Sequence, residues 1–350
     1  MKKFLALILA LVMAVALLAG CGSSSTTPAA SAGSASGSSS GTTFEPMTWK
    51  FACSATQTST WAQAGQKFGD LVSAATNGAV KVEIYPADQL TAGNQADGIQ
   101  ALIDGTTDLT MHSNLIYSAF DQRFNVVSLP FLFSSTDDAD SILDGAGGDA
   151  LKTVLDGMGL HCIGLGENGF RHPTNSKHAI ASVADMKNLK MRVAGSKLLN
   201  REYQLWGADY ANANWSEVFT ALQTGTYDGQ ENPLPTADSA SIQEVQKYVT
   251  YWTGTYDCLF FCMNKDLYDS LPADLQKIVD DCGKQAVEYQ RQINRDQDKT
   301  ILDKWKTQYG ITVTELSDEA VKGFKDASAA CYTEFQDQLT PDLINAFTGK

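Results

Sequence analysis

Arginine is the side chain best suited to hold a small carboxylate, because its planar guanidinium offers parallel N–H donors to both oxygens. One arginine of this chain sits where that chemistry is sensible: Arg192 in Lys190-Met191-Arg192-Val193. On an alternating strand, Arg192 points away from the face of Met191 and Val193. The competing reading is an exposed strand arginine, so the setting in the chain must decide. That setting is acidic, with 26 Lys and Arg against 40 Asp and Glu and a net charge of −14. Without Lys2 and Lys3 the balance is 24 against 40, or −16. A protein so acidic is unsuited to nucleic acid and binds an anion only through a local cationic pocket.

Other chemistries find less support. Gly164-x-Gly166-x-x-Gly169 has the spacing of a dinucleotide-binding turn, but that turn needs a helix to open at once and receive the pyrophosphate. Phe170-Arg171-His172-Pro173-Thr174-Asn175 reads as a loop instead, which argues against an oxidoreductase. His112, His161, His172 and His178 show no metal-ligand spacing. No Gly-Lys-Ser/Thr phosphate loop occurs, and no Gly-x-Ser-x-Gly elbow stands between a strand and a helix. Neither an enzyme nor a cofactor is expected. Beyond Cys21 there are six cysteines: Cys53, Cys162, Cys258, Cys262, Cys282 and Cys331. Cys258 and Cys262 would stand about 13 Å apart on an extended strand, too far to bridge. Most of the six read as buried small hydrophobes.

These residues need elements to position them. Lys2 and Lys3, the apolar run Phe4 to Leu18, and Leu18-Ala19-Gly20-Cys21 have the form of an export signal over residues 1–20. Gly22 to Thr43 contains only Gly, Ser, Thr, Ala and Pro; this 22-residue tether would span about 25 Å as a random coil. No later apolar run reaches membrane-spanning length. Alternation predicts strands over Val80–Tyr85 and Leu189–Val193, with shorter candidates at Phe131–Phe133, Leu160–Leu165, Leu259–Met263 and Ile311–Val313. Three-and-four spacing predicts a helix over Trp61–Ala75, stopped at Asn77-Gly78. A second helix follows a Ser216 cap and ends at Gly225; a long third one begins after Pro272 with a seam of Leu275, Val279, Cys282, Ala286, Tyr289 and Ile293. Strands alternating with helices indicate an α/β protein with mainly parallel sheets, which bind ligands at their strands' carboxyl ends.

Ordered motifs run along nearly all of the chain after the tether. They include Tyr85-Pro86, Gln89-Leu90, Leu129-Pro130-Phe131, Gly169-Phe170-Arg171, Lys190-Met191-Arg192-Val193, Trp215-Ser216-Glu217-Val218-Phe219 and Asp228-Gly229-Gln230-Glu231-Asn232-Pro233. This succession resembles the solute-binding subunits of tripartite ATP-independent periplasmic (TRAP) transporters, the DctP-type family. The resemblance implies a two-lobed, type II periplasmic-binding-protein-like fold with a ligand cleft between the lobes and long C-terminal helices. Lobe I would comprise 44–168 plus about 258–300, and lobe II 169–257 plus about 301–350.

The resemblance also implies residues. Arg192 matches the arginine that pairs with the ligand carboxylate, Arg171 a second arginine of the site, Asn232 an asparagine that hydrogen-bonds the ligand, and Trp215 an aromatic wall. Ser54, His112, Ser113 and Asn114 occupy the first-lobe places. No metal is required; where relatives use one, Glu231 is the matching ligand. Cys21 resembles a lipobox cysteine, which would be lipidated and hold the protein on the outer face of the cytoplasmic membrane. The implied function is capture of a small organic anion, a C4-dicarboxylate or a bulkier acid, by a monomer that delivers it to TRAP permease subunits. A ligand-sensing receptor or an ABC-importer binding protein of the same fold is the alternative.

Overall fold

The computed structural model describes residues 43–349. The signal segment, Cys21 and the tether up to residue 42 lie outside the described residues. The first half of the chain forms β1 (Met47–Cys53), α1 (Thr60–Ala75), β2 (Val80–Tyr85), α2 (Gln95–Ile103), β3 (Leu109–Ser113) and α3 (Asn114–Tyr117). A 3-10 segment (Gln122–Ser128), α4 (Thr136–Leu143) and α5 (Ala146–Gly157) lead into β4 (Leu160–Asn175). The next elements are β5 (Lys190–Val193), α6 (Lys197–Leu205), β6 (Asp209–Asn212), α7 (Trp215–Gln223), β7 (Gly229–Asn232), α8 (Leu234–Ser239) and β8 (Tyr248–Tyr251). The chain then returns through β9 (Thr255–Asn264), α9 (Lys265–Ser270), α10 (Ala273–Gln308) and β10 (Thr312–Glu315). It ends in α11 (Asp318–Ser328), α12 (Ala330–Glu334), α13 (Gln336–Leu339) and α14 (Pro341–Thr348).

The strands run β2-β1-β3-β9-β4-β7-β5-β6, with β8 joining β4 to β10. Parallel pairing occupies the two outer parts (β1 with β2 and β3; β5 with β6 and β7; β8 with β10). The central strands β4 and β9 are antiparallel to each other, and β4 is also antiparallel to β7 and β8. The 16 residues of β4 serve both parts: its start pairs with β9 and its end with β7 and β8. One apolar cluster packs α1 and α10 on the first part, around Phe51, Phe68 and Phe261. Another packs α7, α8 and Trp305 on the second.

Several sequence expectations need correction. Phe131–Phe133 is not a strand: Phe131 has φ +53, the Leu132 N–H donates to Leu129 O at 3.1 Å to close a turn through Pro130, and the Phe131 N–H donates to the distant Gly254 O at 2.6 Å. Phe170–Asn175 is strand, not loop, because its polar side chains are buried and hydrogen-bonded, and Pro173 pairs opposite Glu231 without donating to the ladder. Ser216 does not cap its helix; α7 starts one residue earlier, after Asn214, and the Ser216 hydroxyl donates to Gly93 O at 3.1 Å. The seam of α10 runs through Leu275, Val279, Cys282 and Ala286 as expected, then passes to Gln290 and Asn294 rather than to Tyr289 and Ile293. Residues 301–350 do not all pack on the second part: α11 and α12 lie on α6, but α13 and α14 lie on the 3-10 segment and α5. None of the six cysteines is in a disulfide, and five are buried.

The glycine pattern that mimics a nucleotide loop serves packing. It lies inside β4, where no helix opens. A Cβ on Gly164 would stand 2.8 Å from Val287 Cγ2, and one on Gly283 would stand 1.8 Å from Ile163 Cγ2, so the bare backbones let the 36-residue helix α10 lie against β4. We expect Gly283→Ala to overpack this contact and cost about 1–3 kcal/mol. Urea unfolding is the check; a midpoint equal to the parent's would show that α10 can retreat freely.

Candidate ligand site

The carboxyl ends of β5 and β7 bring Arg192 and Asn232 to one wall of a cavity. β4 adds Asn168 and Arg171; α7 adds Trp215. The opposite wall comes from the end of β1 (Ser54, Ala55), α1 (Trp61), α2 (Gln95) and β3 with α3 (Ser113, Ile116). The space, mouth included, is ≈ 320 Å³, the low end of the range for small-molecule sites. The walls also touch directly: Trp215 N–H donates to Gln95 Oε1 at 3.2 Å, and Thr56 Oγ1 donates to Ser239 O at 3.2 Å.

The two arginines do different work. Arg171 Nε and Nη2 donate to the Glu231 carboxylate, and Nη1 donates to Asp257. Both acids are buried. Asp257 also accepts from Ser113 Oγ and Asn168 Nδ2, both at 2.7 Å, and Glu231 Oε1 accepts from Ala194 N–H at 3.0 Å. Burial alone would lower the Arg171 pKa, but the two carboxylates hold it above the usual arginine value. Its charge is neutralised within the protein.

Arg192 has no such partner. It is 2% exposed, and among the described residues no carboxylate lies within ion-pair distance of it. Nε and Nη2 donate to Ala213 O at 3.0 and 2.6 Å, and the guanidinium carbon stands 5.6 Å from the centre of the Trp215 ring. Among the described residues, the remaining three N–H donors of the fork have no acceptor. Burial pushes its pKa down to about 10, with Glu231 opposing only in part. A buried cation kept unpaired on a cavity wall is chemically suited to take up an anion.

Of the eight ligand residues expected from the sequence, Arg192, Arg171, Asn232, Trp215, Ser113 and Ser54 line this cavity. His112 and Asn114 do not. His112 Nε2 bonds Asp88 at 2.8 Å behind β3, and Asn114 bridges Phe124 O, Ser128 Oγ and the Cys258 N–H. Both are turned into the core because β3 alternates and only Ser113 reaches the cleft side. Glu231 does not present a metal ligand, since its oxygens are taken by Arg171 and Ala194. Sequence reasoning overlooked Gln95 and Asn168, and above all the pairing of Arg171. Acids inside wholly buried strands, Glu231 in β7 and Asp257 in β9, were the available signal, because a buried carboxylate implies a buried partner.

A larger groove of ≈ 1120 Å³ lies around Gly169, Tyr251 and Arg295. Its two cations are already paired: Arg295 bonds Glu167 at 2.6 Å and Asp140 at 2.8 Å, and Lys299 lies 3.4 Å from Asp296. Charge, rather than size, therefore selects the smaller cavity.

Residues 51–338 match the family described as bacterial extracellular solute-binding protein, family 7. The chain belongs to that family. It is 33% identical over 278 residues to the 2,3-diketo-L-gulonate-binding periplasmic protein of Escherichia coli K12, an alignment covering 79% of this chain and 83% of that one. Among solved structures, the galactonate complex of a sugar acid binding protein from Advenella mimigardefordensis superposes with a TM-score of 0.83 at 28% identity, covering 87% of this chain and 97% of that one. A succinate-bound TRAP periplasmic solute-binding protein from Shewanella oneidensis gives 0.83 at 26% identity, with 87% and 99% covered. The protein is a TRAP-type solute-binding protein with the two-lobed fold and long C-terminal helix of these relatives. Among the described residues no helix is long and apolar enough to cross a membrane.

The contrast between the arginines has a thermodynamic consequence. Arg171→Met leaves two buried acids without their cation and should cost about 3–5 kcal/mol of stability. Arg192 has a folded-state pKa below its unfolded value, so its charge opposes folding at every pH below about 10. Arg192→Met should therefore not lower stability: losing the bonds to Ala213 costs about 1 kcal/mol, and removing the buried, unpaired charge offsets that loss. Ligand-free denaturant melts at pH 7 compare the two; equal losses would contradict this division of roles.

Proposed function

We propose that this protein captures a small organic acid by seating its carboxylate on Arg192 and delivers it to TRAP-type permease subunits for uptake driven by an ion gradient. The observation that carries the reading is the unpaired, buried Arg192 fork in a cavity walled by both halves of the molecule. A carboxylate there gains charge-assisted hydrogen bonds in a site from which water is largely excluded. Trp215, against which the guanidinium stacks, keeps the fork in one orientation. Arg171 acts indirectly: with Glu231 and Asp257 it supports the cavity floor. The sugar acid and succinate bound by the relatives support the ligand class. There is no reaction in this scheme; binding both walls favours the arrangement in which they touch.

The membrane attachment is part of the same proposal. Cys21, after a run closed by Leu18-Ala19-Gly20, would be the lipidated first residue of the mature chain, with residues 22–43 as the tether. A monomer held this way could reach its permease without leaving the membrane surface. Cys21→Ser is expected to move the protein from the detergent-extracted membrane fraction to the soluble one. Retention in the membrane fraction would reject lipidation at Cys21.

Arg192→Ala should weaken acid binding roughly 30- to several-thousand-fold, the loss typical of breaking a buried charge pair. Arg192→Lys keeps the charge without the paired geometry and should recover only part of it. Calorimetry on both variants, with folding followed by circular dichroism, is the measurement. Near-native affinity in the alanine variant would remove Arg192 from the site.

A further inference from the structure

We infer that the ligand bears a single carboxylate and, at its other end, uncharged hydroxyl or carbonyl oxygens: a small hydroxy or keto monocarboxylic acid rather than a dicarboxylate. The inference rests on the reading of Arg192 as the carboxylate seat and extends it to the opposite wall.

The first observation is the charge balance of the cavity. Its only charged lining side chains are Arg171 and Arg192. Arg171 is matched by Glu231 and Asp257, with four of its five N–H donors occupied. The three ionised groups behind it sum to one negative charge, and Arg192 restores neutrality. The cavity thus has one fork for one carboxylate, and a second carboxylate would meet no free cation.

The second observation is independent. Among the described residues, Ser54 Oγ and Trp61 Nε1 are buried polar atoms with no hydrogen-bond partner. Both residues line the cavity, on the wall formed by β1 and α1. Trp61 is 3% exposed and Ser54 4%. Buried donors left unpaired are costly, and of the seven such polar atoms among the described residues these two are the ones whose residues line the cavity, where a ligand can supply the missing partner. An indole N–H can only donate; a hydroxyl donates or accepts. Together they ask for a ligand oxygen that accepts from Trp61 and exchanges a hydrogen bond with Ser54. A hydroxyl or a carbonyl does this without charge. A carboxylate in the same place would lose its hydration for two neutral donors and no cation.

The test uses the full chain, purified in mild detergent, and calorimetry with named probes. Gluconate and glycerate carry one carboxylate and several hydroxyls; hexanoate and propionate match their lengths without the hydroxyls; succinate and malate carry two carboxylates. The expected result is that a hydroxy acid binds best, with both dicarboxylates at least about 30-fold weaker. Trp61→Phe keeps the ring and removes the N–H. It should weaken the hydroxy acid by about 5- to 100-fold while changing the hydroxyl-free acid by less than about twofold. Ser54→Ala should act in the same direction. Dicarboxylates binding as tightly as the hydroxy acids, with Arg192 still required, would overturn this inference and leave the carboxylate seat standing. Equal weakening of both monocarboxylates by Trp61→Phe would show that the ring packs rather than donates, and would overturn the role of Trp61. If gluconate or glycerate binds and Arg192→Ala does not weaken it, the carboxylate seat itself falls, and this inference with it. Binding by none of the six probes would count against both.

Discussion

The buried cluster of Arg171, Glu231 and Asp257 ties together the three strands that meet at the centre of the molecule. Arg171 comes from β4, Glu231 from β7 and Asp257 from β9. Each acid is further bonded by neighbours, Ser113 and Asn168 for Asp257 and the Ala194 N–H for Glu231. Such a cluster is stable only when every member is satisfied. It fixes the relative position of the first-part strand β3, through Ser113, and of the β5 end, through Ala194. Those two ends carry opposite walls of the ligand cavity.

Because Glu231 and Asp257 are committed to Arg171, neither can neutralise Arg192. The site therefore combines a floor whose two carboxylates are committed to Arg171 with one buried cation that has no ion-pair partner until an anion arrives. This is a costly arrangement in the empty protein, consistent with a depressed Arg192 pKa. An anion seated on Arg192 would relieve that cost, which is a physical reason for a buried arginine to give a large difference between empty and occupied states. Packing around the cleft keeps the arrangement rigid: Trp215 lies against the guanidinium, and Ala213 O holds its other edge.

The same economy explains the polar character of β4. A 16-residue strand shared by both parts of the sheet runs through the interior with Glu167, Asn168, Arg171, His172, Thr174 and Asn175 all buried. From α10, Gln290 bonds the Glu167 backbone at both N–H and C=O, and Asn294 bonds Asn168 O. The long helix thus follows the crossing strand with polar contacts where the strand is polar, and with the Gly164 and Gly283 close approach where it is not.

Much was legible in the sequence because it depends on local periodicity and on an ordered set of motifs. Alternation located β2 and β5, three-and-four spacing located α1, and Pro272 located the start of α10. The motifs named the family, with Arg192 and Asn232 on the cavity wall. What periodicity could not read was anything set by strands distant in the chain. Phe170–Asn175 looked like loop because its polar residues have partners 56 to 86 positions away, such as Gln230 with Thr174 and Asp257 with Arg171. Two arginines looked alike from their own neighbours. Only the tertiary structure decided that one is neutralised and the other left open, because the field at a buried charge is set by groups brought close in space, and sequence separation says nothing of that distance.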